Sequence, residues 1–573
     1  MACVVGENDE FILKAMRDEM QRSKTLRLPG LDAPYYIEYS IEDADMVAIS
    51  ATLGALVQES HRPARIQRVK VRVGDYNFDN ANYVLSDAFG GTRYDMEQLP
   101  IETNYNALRH TLWLATDRAF KTAEEGIARK KSALRNVNLP DALPDFSKAA
   151  PVKALLPAPL RSIDVAAWKK RTVDLSALFA PYHDLETSEV AFESVQSATY
   201  LVTSEGTELR TPDSVAFLRI RAHAQAPDGY VVRDAAVELS DDPSRLPGEG
   251  ELKRAVNQVA ENVTALAHAP QGYPYDGPVL FESRAAAQLF GQLLGDNLKL
   301  ERKPVQEPGR PVPFAASELE TRVGSRVLPT WMDVVDDPTQ TSFEGQRLLG
   351  HYEYDIEGVV PKPLTLIDHG ILKDFLRTRT PVLKGVDSSN GHARFPGPHG
   401  AAAPGMGNLF VRASQTMSDA ALKSKLIEMC KERNKPYCIV VRKLDWPSSA
   451  SIEELRREIT GAATSGGGGR PVASALLVYR IDQDGKEELV RGVRFRGLNT
   501  RSLKDIVAAS DHPYVYNYID SRAPFALMGA GGYVSNSTIV APAVLFDELE
   551  LEQILDEMPS LPLVPPPTFT STR

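Results

Sequence analysis

Cysteine is nearly absent from this sequence: 573 residues hold three, Cys3, Cys430 and Cys438. Three are too few for a disulfide framework, and no two form the Cys-x-x-Cys pair of a redox or zinc site. They read as reduced thiols of a cytoplasmic chain. Long apolar runs are missing too. No stretch reaches the roughly 18 residues of a membrane span, and the first residues, with Glu7, Asp9 and Glu10, lack the basic start and apolar centre of a signal peptide. A basic excess is also lacking. Lys and Arg number 65 against 76 Asp and Glu, a net charge of −11, whereas a protein that coats nucleic acid needs the opposite sign. The glycine run inside 464–470 has no Gly-Lys-Ser/Thr after it, so it is not a phosphate loop, and no Gly-x-Ser-x-Gly nucleophile elbow occurs.

What is present is ordinary for a globular chain: 43% hydrophobic and 25% charged residues. The length suits two or three large domains. Helix signals cover 10–22 and 104–134. In the latter, Trp113, Phe120, Ile127 and Leu134 recur at sevens, which fits a coiled-coil seam or a helix lying on its own sheet. Only about three heptads are sustained, and this favours the sheet. Valines alternate with basic residues over Arg68–Val73, the pattern of a strand with one buried face. Residues 37–41 and 46–49 are neighbouring strand candidates. Leu252, Val256, Val259, Val263 and Leu266 make one stripe of a further helix. Asp484-Gly485 sets a hairpin between runs 473–481 and 487–495. Helices are also expected at 418–433 and 452–460. The division that follows is an N-terminal α/β region, 1–225, with a proline-rich connection at about 138–161. A β-rich part, 226–560, and a proline-rich tail, 561–573, complete it. The fold class is α+β: long helices on an antiparallel sheet, then a mainly antiparallel β part.

Three runs could carry chemistry. In 277–294 a strand enters a helix whose stripe is Ala286, Leu289, Phe290, Leu293 and Leu294. Glu282 stands at the entry and is directed toward that buried side. It reads either as a carboxylate favoured by the helix dipole or as a general base in a cleft. In 350–358, His351, Glu353, Asp355 and Glu357 would share one face of a strand and could hold a divalent cation, or simply be solvated. In the glycine–proline loop 390–400, His392, Arg394 and His399 are candidates for substrate or metal, without any zinc spacing.

Several runs, taken in order, resemble the TldD/PmbA (TldE) family, also called modulators of DNA gyrase. These are 71–80, 108–121, 277–294, 334–339 (Val-Val-Asp-Asp-Pro-Thr), 354–370, 479–506 and 529–549. The resemblance implies an N-terminal α/β part joined to an antiparallel β part, arranged as a two-fold dimer. It also implies zinc peptidase chemistry in the TldD branch, where a His-Glu-x-x-x-His run and a C-terminal cysteine form the site. Here the aligned run is Phe281-Glu282-Ser283-Arg284-Ala285-Ala286. The glutamate survives, both histidine positions are apolar, and 525–533 holds no cysteine. Without bound metal, Glu282 has no activated water to deprotonate. The expectation is a family member without zinc or another cofactor, closer to the PmbA/TldE branch. It would bind peptide, with Asp355, Glu357, His392 and Arg394 as cleft candidates. It would act as a homodimer or pair with a TldD-like paralogue, with no nucleic acid and no membrane. The alternative is an active metallopeptidase or another hydrolase with relocated ligands among His351, Glu353, His392 and His399; a third reading, a nucleic-acid-associated factor as the older family name suggests, is opposed by the net charge of −11. The surviving entry further implies that Phe281→His, Ala286→His and a cysteine within 527–532 would restore metal binding. The uncharged run in 537–546 is either a central strand or pressed against a partner.

Overall fold

The computed structural model describes residues 5–27, 29–83, 97–102, 104–135, 143–157, 163–306, 314, 316–386, 388–396, 402–447, 449, 472–521 and 534–555. The helix expected at 452–460, the glycine run, His399, the 525–533 stretch, parts of the 138–161 connection and the 561–573 tail lie outside these residues.

The N-terminal sheet begins with a long hairpin, β1 (Tyr36–Thr52) and β2 (Ala55–Arg72), so the two strand candidates at 37–49 are one strand. The turn is Leu53-Gly54, at φ +47 and +82, the left-handed pair that a two-residue hairpin needs. β3 (Glu97–Gln98), β4 (Lys153–Leu155), β5 (Thr187–Thr203), β6 (Glu208–Gln225) and β7 (Val231–Ser240) complete it. The order is β3-β2-β1-β5-β6-β4, with β7 also on β6. Side chains alternate across the sheet. Ile37, Tyr39, Ile41, Val47 and Ile49 of β1 share the helix-covered face with Phe192 of β5 and Leu218 and Ile220 of β6. Helices α1 (Val5–Ser23) and α2 (Tyr105–Ala133) cover one end of that face. α3 (Val165–Ser176) and α4 (Glu249–His268) cover the other. The Asn104 side chain accepts from Ala107 N and starts α2, as Asp164 does for α3 through Ala167 N.

α2 lies on its own sheet: Phe120, Ala123 and Ile127 pack on Val71 and Val73. Trp113 does not join them and is 41% exposed. A helix of 3.6 residues per turn drifts off a spacing of seven, so the stripe passes through Leu108, Leu112, Thr116 and Phe120 instead. The sheet runs past residue 225, because β7 pairs with β6 from Gln225↔Val231 to Ala216↔Ser240. α4 then packs on the same core with its stripe Leu252, Val256, Val259, Val263 and Leu266.

Besides two two-stranded ladders, the C-terminal part has two larger sheets among the described residues. One runs Ile371–Leu372, Leu364–Asp368, Met332–Asp336, Asn408–Ala413, Val534–Ala541, Tyr514–Ser521. The other runs Glu487–Val490, Ala475–Asp482, Tyr437–Leu444, β8 (Tyr275–Phe281), Val544–Gln553, Val493–Arg496. α5 (Ser283–Phe290) packs against strands of both, and its residues from Ala285 to Phe290 are all buried. Such enclosure explains why apolar residues surround most of the helix, with Arg284 and Gln288 as its long polar side chains. The architecture is α+β with mostly antiparallel pairing.

Three expectations change. The run 487–495 breaks at Gly492, φ +68: its first half pairs with Ala475–Asp482, its second with Val544–Gln553. The 537–549 run breaks at Pro542 and supplies one strand to each sheet, so its own chain covers it. Cys430 and Cys438 are not free thiols but a disulfide. Helix Asp419–Glu432 ends in a tight turn at Asn434, φ +53, which returns the chain and brings the two Cα atoms to 6.0 Å, within bridging reach. No helix among the described residues is long and apolar enough to cross a membrane.

Candidate functional site

The entry to α5 decides whether a zinc centre fits. Phe281 ends β8 with no exposure, its ring 5.4 Å from that of Phe495 and 5.5 Å from that of Phe546. Ala286, one turn into α5, is equally enclosed. Both positions belong to the apolar core between the sheets. Neither side chain has a lone pair to give, and a catalytic zinc needs about three protein ligands and an open position. The described residues do not fit the family's metal. The rebuilt site expected from Phe281→His and Ala286→His would therefore occupy packed core.

Glu282 does not point into that core either. Its backbone carbonyl starts α5 by accepting from Ala285 N at 2.8 Å, and its side chain makes no cap. Instead Oε2 accepts from Arg442 Nε at 2.7 Å. Arg442 also donates to Glu487 at 2.8 Å and lies 4.3 Å from the Tyr479 ring centre. The glutamate is thus one member of a half-exposed ion-pair cluster.

Residues 350–358 form a turn rather than a strand, so the four polar side chains share no face. His351 and Glu353 are exposed, with His351 Nδ1 2.7 Å from the carbonyl of Pro338. Asp355 and Glu357 are buried at the junction of the two halves. Asp355 accepts from the backbone N–H groups of Glu357, Val359 and Ala393 at 2.8–3.0 Å. Burial, then the neighbouring Glu357, push its carboxyl up to about 7. Glu357 accepts from Arg379 N at 2.7 Å. Burial pushes its carboxyl up as well, with Lys70 and Arg379 working against it. Arg379 reaches into the N-terminal part, donating to Ser147 O and to Glu205 at 2.8 Å.

His392 is fully enclosed, its Nε2 3.2 Å from Asp336 Oδ1 and its Nδ1 3.0 Å from Asn390 O. Arg394 stacks 4.0 Å over the Tyr352 ring and donates to Asn536 O. The structure thus buries Asp355, Glu357 and His392, leaves Arg394 partly buried, and places Glu282 elsewhere, with Arg442. Of the relocated-ligand candidates, His351, Glu353 and His392 have these separate surroundings, and His399 lies outside the described residues. Among the described residues, Asp333, Asp368 and His369 bring ligand atoms within 4.8 Å of one another. They sit at an exposed hairpin turn, where the His369 side chain is 78% exposed.

A feature missed in the sequence lies two residues beyond Glu282. A cavity of about 210 Å³ separates β6 and β7 from α5 and the Tyr514–Ser521 strand. Arg219 and Arg221 line it from the face of β6 opposite the helices, with Glu238 from β7. From the C-terminal part come Arg284, Trp446, Tyr514 and Tyr516. Arg284 Nε and Nη2 both donate to the Tyr514 hydroxyl at 3.3 Å. The Tyr516 hydroxyl donates to Trp446 O at 2.7 Å, and Gln288 donates to the same carbonyl. Burial pushes the Glu238 carboxyl up, opposed by Arg284. The available signal was one arginine in the first turn of an otherwise apolar helix, but every cavity partner is distant in sequence.

Residues 274–444 match the sequence model of the family described as PmbA/TldA metallopeptidase C-terminal domain. A search of the curated proteins finds no match. Among solved structures the chain is similar to TldE from Thermococcus kodakarensis, at 13% identity and TM-score 0.58, over 94% of this chain and 100% of that one. It is similar to a proposed modulator of a DNA gyrase from Thermotoga maritima, at 14% identity and TM-score 0.55, over 95% and 99%. Another such protein, from Bacteroides thetaiotaomicron, shares 10% identity at TM-score 0.54, over 96% and 100%. At these identities the structures speak for the fold.

Proposed function

We propose that this chain, which carries the C-terminal domain and the fold of the TldD/PmbA family, works as a peptide-binding subunit without zinc. On this reading it is of the TldE kind and pairs with a second copy or with a TldD-like paralogue. The observation that carries the reading is the α5 entry. The positions matching the two histidine ligands are Phe281 and Ala286, both inside an apolar core, and the matching glutamate is ion-paired to Arg442. A glutamate held by a guanidinium, beside positions that offer no metal ligand, has no activated water to deprotonate.

Elemental analysis of protein purified without chelator and then loaded with zinc tests this. Well below one zinc per chain is expected. Stoichiometric zinc that His351→Ala or His392→Ala abolishes would overturn the reading in favour of a relocated metal site. Light scattering at micromolar concentration is expected to give about twice the chain mass, or a complex with the paralogue.

A further inference from the structure

Two groups in the cavity between the halves lack what they need. Arg284 has no carboxylate at ion-pair distance among the described residues; its only hydrogen bonds are the two 3.3 Å contacts to Tyr514. The other cations there are matched: Lys443 by Asp234, Arg221 by Glu189 at 2.7 Å and Arg219 by Glu189 at 3.5 Å. Independently, Trp446, which also lines the cavity, is 1% exposed and its indole Nε1 has no acceptor among the described residues. An indole N–H and a guanidinium can only donate. The Tyr514 hydroxyl accepts from Arg284 and keeps its own proton to give. An unpartnered buried donor is costly, and the partly buried Arg284 gains from an acceptor that a ligand brings into the cavity.

We propose that this cavity binds a carboxylate, that of the C-terminal residue of a peptide, with the Arg284 fork as its receptor. The planar guanidinium matches a carboxylate through two parallel hydrogen bonds. Glu238 on the opposite wall limits the charge that can enter: a monoanion satisfies Arg284, whereas a phosphate dianion meets a second negative group. About 210 Å³ is below the roughly 300–1,000 Å³ of sites for whole drug-sized ligands, so it suits one terminal residue. Tyr514 and Tyr516 give that residue aromatic walls. The proposal rests on the peptide-binding reading and deepens it.

Calorimetric titration of the full chain with N-acetylphenylalanine and with its amide is the test, alongside a hexapeptide in free-acid and amidated forms. The acids are expected to bind about 10- to 100-fold more tightly than the amides, the worth of a hydrogen bond to a charged group. Arg284→Gln is expected to erase that difference and Arg284→Lys to keep part of it. Tyr514→Phe, which removes only a hydroxyl, gives a milder loss should Arg284→Gln not fold. Equal binding of acid and amide, no binding of either at millimolar concentration, or equal binding of inorganic phosphate overturns the proposal. Binding of N-acetylphenylalanine but of neither hexapeptide upholds the carboxylate site and sinks the peptide-binding reading. Equal binding of the two hexapeptides does the reverse.

Discussion

Glu282 and Arg284 stand two positions apart at the mouth of one helix, and their surroundings are opposite. Glu282 faces Arg442, Glu487 and Tyr479, where its charge is answered. Arg284 faces the cavity between the halves, where no carboxylate answers it at ion-pair distance among the described residues. Phe281 and Ala286, on either side of the pair in sequence, belong to the core. The resemblance directs attention to the glutamate, but the group without a carboxylate at ion-pair distance among the described residues is the arginine. A family motif marks a place in the fold, and the chemistry available there depends on which neighbours complete it.

The largest expected effect comes from the apolar core at Phe281 and Ala286. Phe281→Ala is expected to cost about 3–5 kcal/mol in urea unfolding, the usual range for emptying a buried aromatic site. The double variant Phe281→His, Ala286→His is expected to unfold more readily than the wild type without gaining zinc. Tight zinc binding by a folded double variant would show that the contrast between the two residues is misplaced.

A smaller effect concerns the junction. Asp355, pushed up to about 7, holds a proton that the unfolded chain, at the ordinary 3.8, has released. The native state then binds more protons between those values, so this group's contribution to stability falls as pH rises from about 4 through 7. Asp355→Asn is expected to flatten that slope by about 3 kcal/mol across the window, since one pKa unit is about 1.4 kcal/mol. Thermal unfolding midpoints from pH 4.5 to 8 measure it; an unchanged slope would mean that Asp355 is ionised throughout.

The smallest effect is expected at the satisfied glutamate. Glu282→Gln loses a half-exposed ion pair, worth about 0.5–1 kcal/mol before solvent screening. It is also expected to leave carboxylate binding in the Arg284 cavity unchanged in the same calorimetric assay. A tenfold change there would join the two residues that the structure separates.

Local signals in the sequence gave good guidance. The start of α2 at Asn104, the α4 stripe, the Asp484-Gly485 hairpin and the strand-to-helix passage at 277–294 all rest on contacts within a few residues. Where the reading failed, the deciding partner was remote. Period-two spacing of His351, Glu353, Asp355 and Glu357 suggested a strand, yet Asp355 ties the segment into a turn through Val359 and Ala393. His392 is enclosed by Asp336, 56 residues away, and Arg284 meets Tyr514, 230 residues on. The Cys430–Cys438 bridge depends on a reversal at Asn434 that spacing alone does not announce.

The break at Pro542 has a mechanical consequence. Strands Val534–Ala541 and Val544–Gln553 belong to different sheets but are joined by two residues, a tether that spans at most about 10 Å at full extension. α5 is held between the sheets beside that tether. The sheets therefore cannot slide apart at this end; they can only pivot about it. Strand Tyr514–Ser521, which walls the cavity, is laddered directly to Val534–Ala541, so the cavity wall and the strand beside β8 are joined through this one tether.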